Sequence, residues 1–302
     1  MSKTGIYPIL PTSFDDEGNL DLDSMRRLID FQIEAGVSGV AILGFLGESH
    51  KLSESERNQV VETVVQQSQN QLDVWVGVRA LGTMGAIEQA KGAEALGANA
   101  LFVAPITVQN DNVLYEHYKS VHESVSIPLI IHDYPASFGV NLSVDLIAKL
   151  GKEKICPYIK LEEQPVGPKV TKIRELSDDS IGIFGGLGGV YFLEELERGA
   201  AGIMTGFSFP EVLVRIYQLY SSGDHAAAAK TFDHYASLLR YEFQPQIGLA
   251  YRKTIYQRRG IFSSTFVRPP GMALDEYTTA ELERTISRAG LSLDIKGVQE
   301  VI

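Results

Sequence analysis

The most constraining feature of the 302-residue chain is an alternation that repeats eight times: a short, continuous apolar run, then a helical pattern. The runs are Ile6–Leu10, Gly39–Leu43, Val74–Val78, Ala100–Ala104, Leu129–His132, Tyr158–Leu161, Ile181–Phe184 and Gly202–Met204. Unbroken apolar character, rather than every second residue, is what strands buried on both faces require, and such strands belong to parallel sheets. Helical periodicity fills the gaps, as in Asp23–Ala35 with Met25, Leu28, Ile29 and Ile33 on one face. Ser53 followed by Glu56 predicts a capping box opening the next helix, which runs to about Gln69. Pro210 suits the first turn of a helix, where a missing N–H is harmless.

Both an open doubly wound sheet and a closed barrel satisfy strand–helix alternation. Eight units ending near residue 222 favour an α/β fold of the (β/α)8, or TIM barrel, type. Beyond Gly223 the strands stop, and His225–Tyr241, Pro245–Arg259 and Asp275–Ala289 read as three helices. The expected organisation is a barrel over 1–222 with a helical C-terminal extension over 223–302 packed on it.

Charge and cysteine content narrow the partners. With 27 basic and 38 acidic residues the net charge is −11, which argues against a broad nucleic-acid footprint. No run approaches the ~20 apolar residues that span a bilayer. The single cysteine, Cys156, excludes an internal disulfide and fits a reducing, cytoplasmic setting; preceding Pro157 and a buried strand, it reads as core. The six histidines show no zinc spacing: His117 and His122 lie five apart, not four. Arg252-Lys253 and Arg258-Arg259 read as a solvated helix face.

In a barrel, chemistry sits at the C-terminal strand ends. The shortlist there is Thr12, Gly44-Phe-Leu-Gly-Glu48, Pro105-Ile-Thr107, His132-Asp-Tyr-Pro135, Lys160-Leu-Glu162, Gly185-Gly-Leu-Gly-Gly189 and Thr205-Gly206. Lys160 is the sharpest signal, because a lysine ending an apolar strand is expensive unless paired or neutral. At a pKa of ~10.4 only about one lysine in 2,500 is neutral at pH 7, and burial raises that fraction. A neutral lysine can form a Schiff base with a ketone. The competing reading is an amine paired with Glu162. His132 also ends an apolar run and suits proton transfer. Of His132, Asp133 and Tyr134, sequence does not say which faces the barrel mouth. The glycine-rich loops place backbone N–H groups near a ligand, or serve as tight turns. Neither carries a phosphate-loop or dinucleotide pattern.

Taken together, Pro8-Ile-Leu-Pro-Thr12, Gly44-Phe-Leu-Gly-Glu48, Pro128-Leu-Ile-Ile-His-Asp-Tyr-Pro135, Ile159-Lys160-Leu-Glu162 and Gly199-Ala-Ala-Gly202 resemble the dihydrodipicolinate synthase / N-acetylneuraminate lyase family of class I aldolases. The resemblance implies a barrel, a homo-oligomer (tetramer or dimer), no metal or organic cofactor, and Lys160 as Schiff-base lysine. His132 stands where the family's synthases carry an acid/base tyrosine, and Phe45-Leu46 replaces a hydroxyl-bearing pair. Thr107 stands where a second tyrosine is expected. Asp133-x-Pro-Ala-Ser137, Gly202-Ile-Met-Thr-Gly206 and Ile247-Gly-Leu…Lys253 resemble a divergent branch that includes L-2-keto-3-deoxyarabonate dehydratase.

The expected activity is therefore a Schiff-base lyase acting on a 2-oxo acid, dehydrating a 2-keto-3-deoxy sugar acid. A pyruvate-releasing aldolase and a silent 2-oxo-acid-binding protein are the alternatives. The expected catalytic residues are Lys160, His132 and Glu162, with Asp133 an alternative relay. Thr12, Gly47, Glu48, Thr107, Asp133, Gly186, Gly188 and Thr205 are expected to contact substrate.

Overall fold

A computed structural model describes residues 3–302. It contains one sheet of eight parallel strands, ordered β1-β8-β7-β6-β5-β4-β3-β2, with helices between them. The strands are β1 Gly5–Ile6, β2 Gly39–Ile42, β3 Asp73–Val78, β4 Ala100–Val103, β5 Leu129–Asp133, β6 Tyr158–Leu161, β7 Gly182–Gly185 and β8 Gly202–Ile203. The helices of the barrel are α1 Leu22–Glu34, α2 Glu54–Ser68, α3 Thr83–Ala95, α4 Asp111–Glu123, α5 Pro135–Phe138, α6 Val144–Lys152, α7 Val166–Ser177, α8 Phe192–Glu197 and α9 Pro210–Ser221. Three more follow: α10 His225–Glu242, α11 Gly248–Arg258 and α12 Glu276–Arg288. This is the expected TIM barrel with C-terminal helices.

Between β1 and β2 the sheet closes with fewer bonds than elsewhere, and the sequence explains why. Ala41 N donates to Pro8 O at 2.8 Å and Leu10 N to Ala41 O at 2.8 Å, but Pro8 has no N–H to give back. The first strand is accordingly shorter than the Ile6–Leu10 run predicts, and Ile9 and Ala41 meet in an isolated parallel bridge. The capping box is present, with Ser53 N donating to Glu56 Oε2 at 2.8 Å and Glu56 N to Ser53 Oγ at 3.3 Å. Pro210 occupies the first turn of α9. The short helix α5 was not anticipated.

Side chains alternate across each strand. One set packs between sheet and helices, among them Leu129, Ile131, Ile159 and Leu161. The other fills the barrel: Tyr7, Ile9, Ala41, Trp75, Ala100, Phe102, Ile130, Phe184 and Met204. Tyr7 stacks on Trp75 with centroids 3.8 Å apart, and Phe184 meets both rings edge-on. Burying one such aromatic contributes ~2–3 kcal/mol, so this plug closes the barrel floor and leaves its upper end for polar groups.

The C-terminal helices are tied to the barrel mouth by buried charge. Arg259 reaches Glu211 at 2.8 Å, Lys253 reaches Glu48 at 2.5 Å, and Arg252 bonds Gly206 O. Arg252, Lys253 and Arg259 are therefore buried, and only Arg258 of the two basic pairs is exposed, which corrects the solvated-face reading. Helix α11 carries Ala250, Tyr251, Ile255 and Tyr256 buried around it. A helix apolar on most sides buries its charges too.

Candidate active site

Strand parity decides which polar residues meet. Ile130 lies in the barrel interior, so His132 and Tyr134, two and four residues on, point the same way. The parallel register sets His132 beside Lys160. Lys160 and Glu162 share the interior face of β6 and its continuation. Asp133, on the opposite parity, faces outward. There its Oδ2 accepts from Lys169 Nζ at 2.7 Å, and the same ammonium bonds Glu163 at 2.6 Å and Leu142 O at 3.0 Å. Burial pushes the Asp133 carboxyl up to about 6 despite Lys169. The structure thus separates Asp133 from the other site candidates, correcting both the relay and the substrate-contact expectation.

Lys160, Glu162 and His132 form one buried cluster. Lys160 Nζ donates to Glu162 Oε2 and lies 3.1 Å from His132 Nε2, and His132 Nε2 lies 3.4 Å from the same carboxylate oxygen. Burial holds the Lys160 amine below its usual value, opposed by the Glu162 charge. For Glu162, burial acts upward, but Lys160 and His132 outweigh it and bring the carboxyl to about 2. Burial, then Lys160, push His132 down to about 4. Its imidazole is therefore neutral near pH 7, a base beside an amine that is itself easier to deprotonate.

The neighbours account for both the burial and the aim of these groups. Phe138 lies 4.9 Å from the His132 ring, Phe102 5.4 Å and Phe45 6.3 Å, all edge-on, and Tyr134 stacks parallel at 6.4 Å. Leu187 N donates to Glu162 Oε1 at 2.9 Å, an orientation reached with Leu187 at φ 48°. A Cβ on Gly186 would fall 2.6 Å from Glu162 Oε1, so glycine there leaves room for the carboxylate.

The cluster opens onto a cavity of about 600 Å³. Of the expected contacts, Lys160, His132, Glu162, Gly188 and Thr205 line it. Gly186 sits behind Glu162. Thr12 is buried with its hydroxyl donating to Gly47 O at 2.6 Å, so both shape the β2 loop rather than the cavity wall. Glu48 is buried and serves as a hub, accepting from Lys51 at 2.8 Å, Lys253 at 2.5 Å and Arg268 N at 3.1 Å. Thr107 is exposed and outside the cavity. These placements correct Thr12, Gly47, Glu48 and Thr107 as cavity-lining residues.

Tyr134, shortlisted from sequence but given no role, shares the parity of His132 and lines the cavity, whereas sequence reasoning missed the whole C-terminal wall. That wall includes Phe243, Leu249, Arg252 and Met272. Among the described residues, no three His, Cys, Asp or Glu side chains are grouped to hold a metal, and no helix is long and apolar enough to cross a membrane.

Comparison with known proteins agrees with this architecture. The model of the dihydrodipicolinate synthetase family matches residues 2–289. L-2-keto-3-deoxyarabonate dehydratase of Azospirillum brasilense is 30% identical over 285 residues, covering 92% of each chain. 4-Hydroxy-tetrahydrodipicolinate synthase of Methanothrix thermoacetophila is 31% identical over 289 residues, covering 94% of this chain and 96% of the relative. The crystal structure of dihydrodipicolinate synthase from Rhodopseudomonas palustris superposes with a TM-score of 0.90 at 32% identity, covering 95% of this chain and 97% of that one. The chain belongs to the dihydrodipicolinate synthetase family and is a lyase of that family.

Proposed function

We propose that this family member forms a Schiff base through Lys160 and dehydrates a 2-keto-3-deoxy sugar acid. The observation that carries the reading is the buried Lys160–Glu162–His132 cluster at the foot of a cavity large enough for a small sugar acid. The 30% identity to a protein named L-2-keto-3-deoxyarabonate dehydratase supports the choice of substrate class.

Neutral Lys160 attacks the C2 ketone, and the carbinolamine, taking up one proton from solvent that is returned when the iminium is finally hydrolysed, loses water to give an iminium. Its positive charge forms beside the Glu162 carboxylate, which is already held ionised by its surroundings. Neutral His132 removes a proton from C3, giving an enamine. The enamine expels the C4 hydroxyl, which leaves as water with the proton His132 has taken. Hydrolysis of the resulting conjugated iminium consumes one water and frees Lys160. The net change is loss of one water. The iminium is the electron sink, so the scheme draws on no cofactor.

One positioned acid/base is worth ~10²–10⁴-fold in rate. His132→Phe is therefore expected to lower turnover of a 2-keto-3-deoxypentonate by roughly that factor. Turnover of the variant within a few-fold of wild type would remove His132 from the mechanism. Coupling the assay to lactate dehydrogenase distinguishes carbon–carbon cleavage, which releases pyruvate, from dehydration, which does not.

A further inference from the structure

We propose that the phenol of Tyr134 donates a hydrogen bond to the C4 hydroxyl of the sugar acid and stabilises that oxygen as it leaves. This deepens the dehydratase reading and rests on it. Tyr134 lines the cavity together with Lys160, Glu162 and His132. Lys160 Nζ lies 5.8 Å from the centre of its ring.

The fold holds this ring in place and leaves its hydroxyl free. Tyr134 caps the short helix α5, its carbonyl accepting from Ser137 N at 3.0 Å and from Phe138 N at 3.1 Å. The ring packs edge-on against Phe45 at 6.0 Å and Phe138 at 6.4 Å, and lies parallel to His132. Burial, then the Glu162 charge, raise the phenol above its usual value, and the Ser137 hydroxyl opposes them only in part. The phenol is therefore protonated through the neutral range. Among the described residues no carboxylate or carbonyl accepts that proton. A tyrosine hydroxyl facing a cavity with its proton unclaimed is a donor for whatever enters.

The order of groups along the strand matches the order of the chemistry. Lys160 holds C2, the proton to be removed is on C3, and the hydroxyl to be lost is on C4. His132 and Tyr134 share the cavity face of β5 and its continuation, and two extended residues advance the chain by about 6.6 Å. The two rings are 6.4 Å apart with 14° between their planes, which is that step. His132 Nε2 stands 3.1 Å from Lys160 Nζ and so serves the carbon next to the iminium. The phenol, one step nearer the mouth, serves the next group out. A donor aimed at an oxygen that gains negative charge strengthens as the bond breaks, most of all in a poorly solvated site. Phe45 and Phe138 exclude water there. The phenol keeps its own proton, and the oxygen still departs as water with the proton that His132 has taken. Pyruvate has no C4 hydroxyl and makes no use of this bond.

The test uses the full chain and separates proton removal from loss of the hydroxyl. In deuterated buffer, pyruvate exchanges its methyl protons through the iminium and enamine, which calls on Lys160 and His132 but on no leaving group; proton NMR reads the rate. Dehydration of a 2-keto-3-deoxypentonate reads the whole sequence. Tyr134→Phe deletes one oxygen and keeps the ring. It is expected to leave pyruvate exchange within a few-fold of wild type and to lower kcat for dehydration by ~10²–10³-fold, the worth of one preorganised donor. His132→Phe is expected to lower both. Dehydration by Tyr134→Phe within a few-fold of wild type overturns the assignment alone. Equal loss of exchange and dehydration makes the phenol a structural group and overturns the assignment too. A wild type that exchanges pyruvate but dehydrates no 2-keto-3-deoxypentonate overturns the dehydratase reading, and the assignment with it.

Discussion

The buried imidazole of His132 should be visible in the stability of the whole protein. Its pKa is held near 4 in the fold, against the 6.5 of an unfolded chain. Between those values the unfolded chain binds a proton that the native state refuses, so stability is lost as pH falls from 6.5 toward 4. Two and a half units correspond to about 3 kcal/mol once both states are protonated. Between pH 7.5 and 4.5 the loss works out at roughly 2–3 kcal/mol from this one residue. His132→Phe, which keeps a ring among Phe45, Phe102 and Phe138, removes that dependence. Urea unfolding at the two pH values reports it through Trp75, the single tryptophan, which lies inside the barrel stacked on Tyr7. The variant should lose roughly 2–3 kcal/mol less than wild type over this interval. Equal losses in both proteins would show that His132 is not held neutral by its surroundings, and its role as the proton-accepting base would go with it.

Two further outcomes follow from the same geometry. Glu48→Gln leaves the buried Lys253 ammonium without its anion and should cost ~3–5 kcal/mol in urea unfolding; a loss under ~1 kcal/mol would mean the hub does not hold the C-terminal segment to the β2 loop. Gly186→Ala puts a methyl 2.6 Å from Glu162 Oε1, and displacing a catalytic group by about 1 Å can cost ~10²-fold in rate. Turnover should therefore fall at least ~10-fold with little change in melting temperature, and unaltered kinetics would show that Glu162 need not sit where the Leu187 N–H holds it.

The barrel was legible because eight apolar runs separated by helical patterns leave few alternatives. Lys160 and Glu162 were legible because an apolar strand that ends in charge advertises a cost that something must offset. Parity was the limit. Within Leu129–Asp133 the residues are buried on both faces, so no polar alternation reveals whether His132 or Asp133 turns inward; that depends on which rows of side chains fill the barrel, a property of all eight strands together. The same physics left the orientation of Tyr134 open, although its spacing from His132 was the available clue. Thr12, Gly47 and Glu48 were rightly placed near the mouth, yet loop closure uses up their polar groups. Arg252 was misread because adjacent charges on a helix usually face water. The signal against that reading was the apolar character of the rest of α11, with Tyr251, Ile255 and Tyr256 alongside.

The central claim is that Lys160 becomes covalently attached to a 2-oxo acid. Incubation with pyruvate, reduction with borohydride and peptide mapping test it directly. The account predicts a reduced adduct on Lys160, absent from Lys160→Arg because a guanidinium forms no such imine and keeps its proton. An adduct on a different lysine, or none on folded protein at saturating pyruvate, would contradict it.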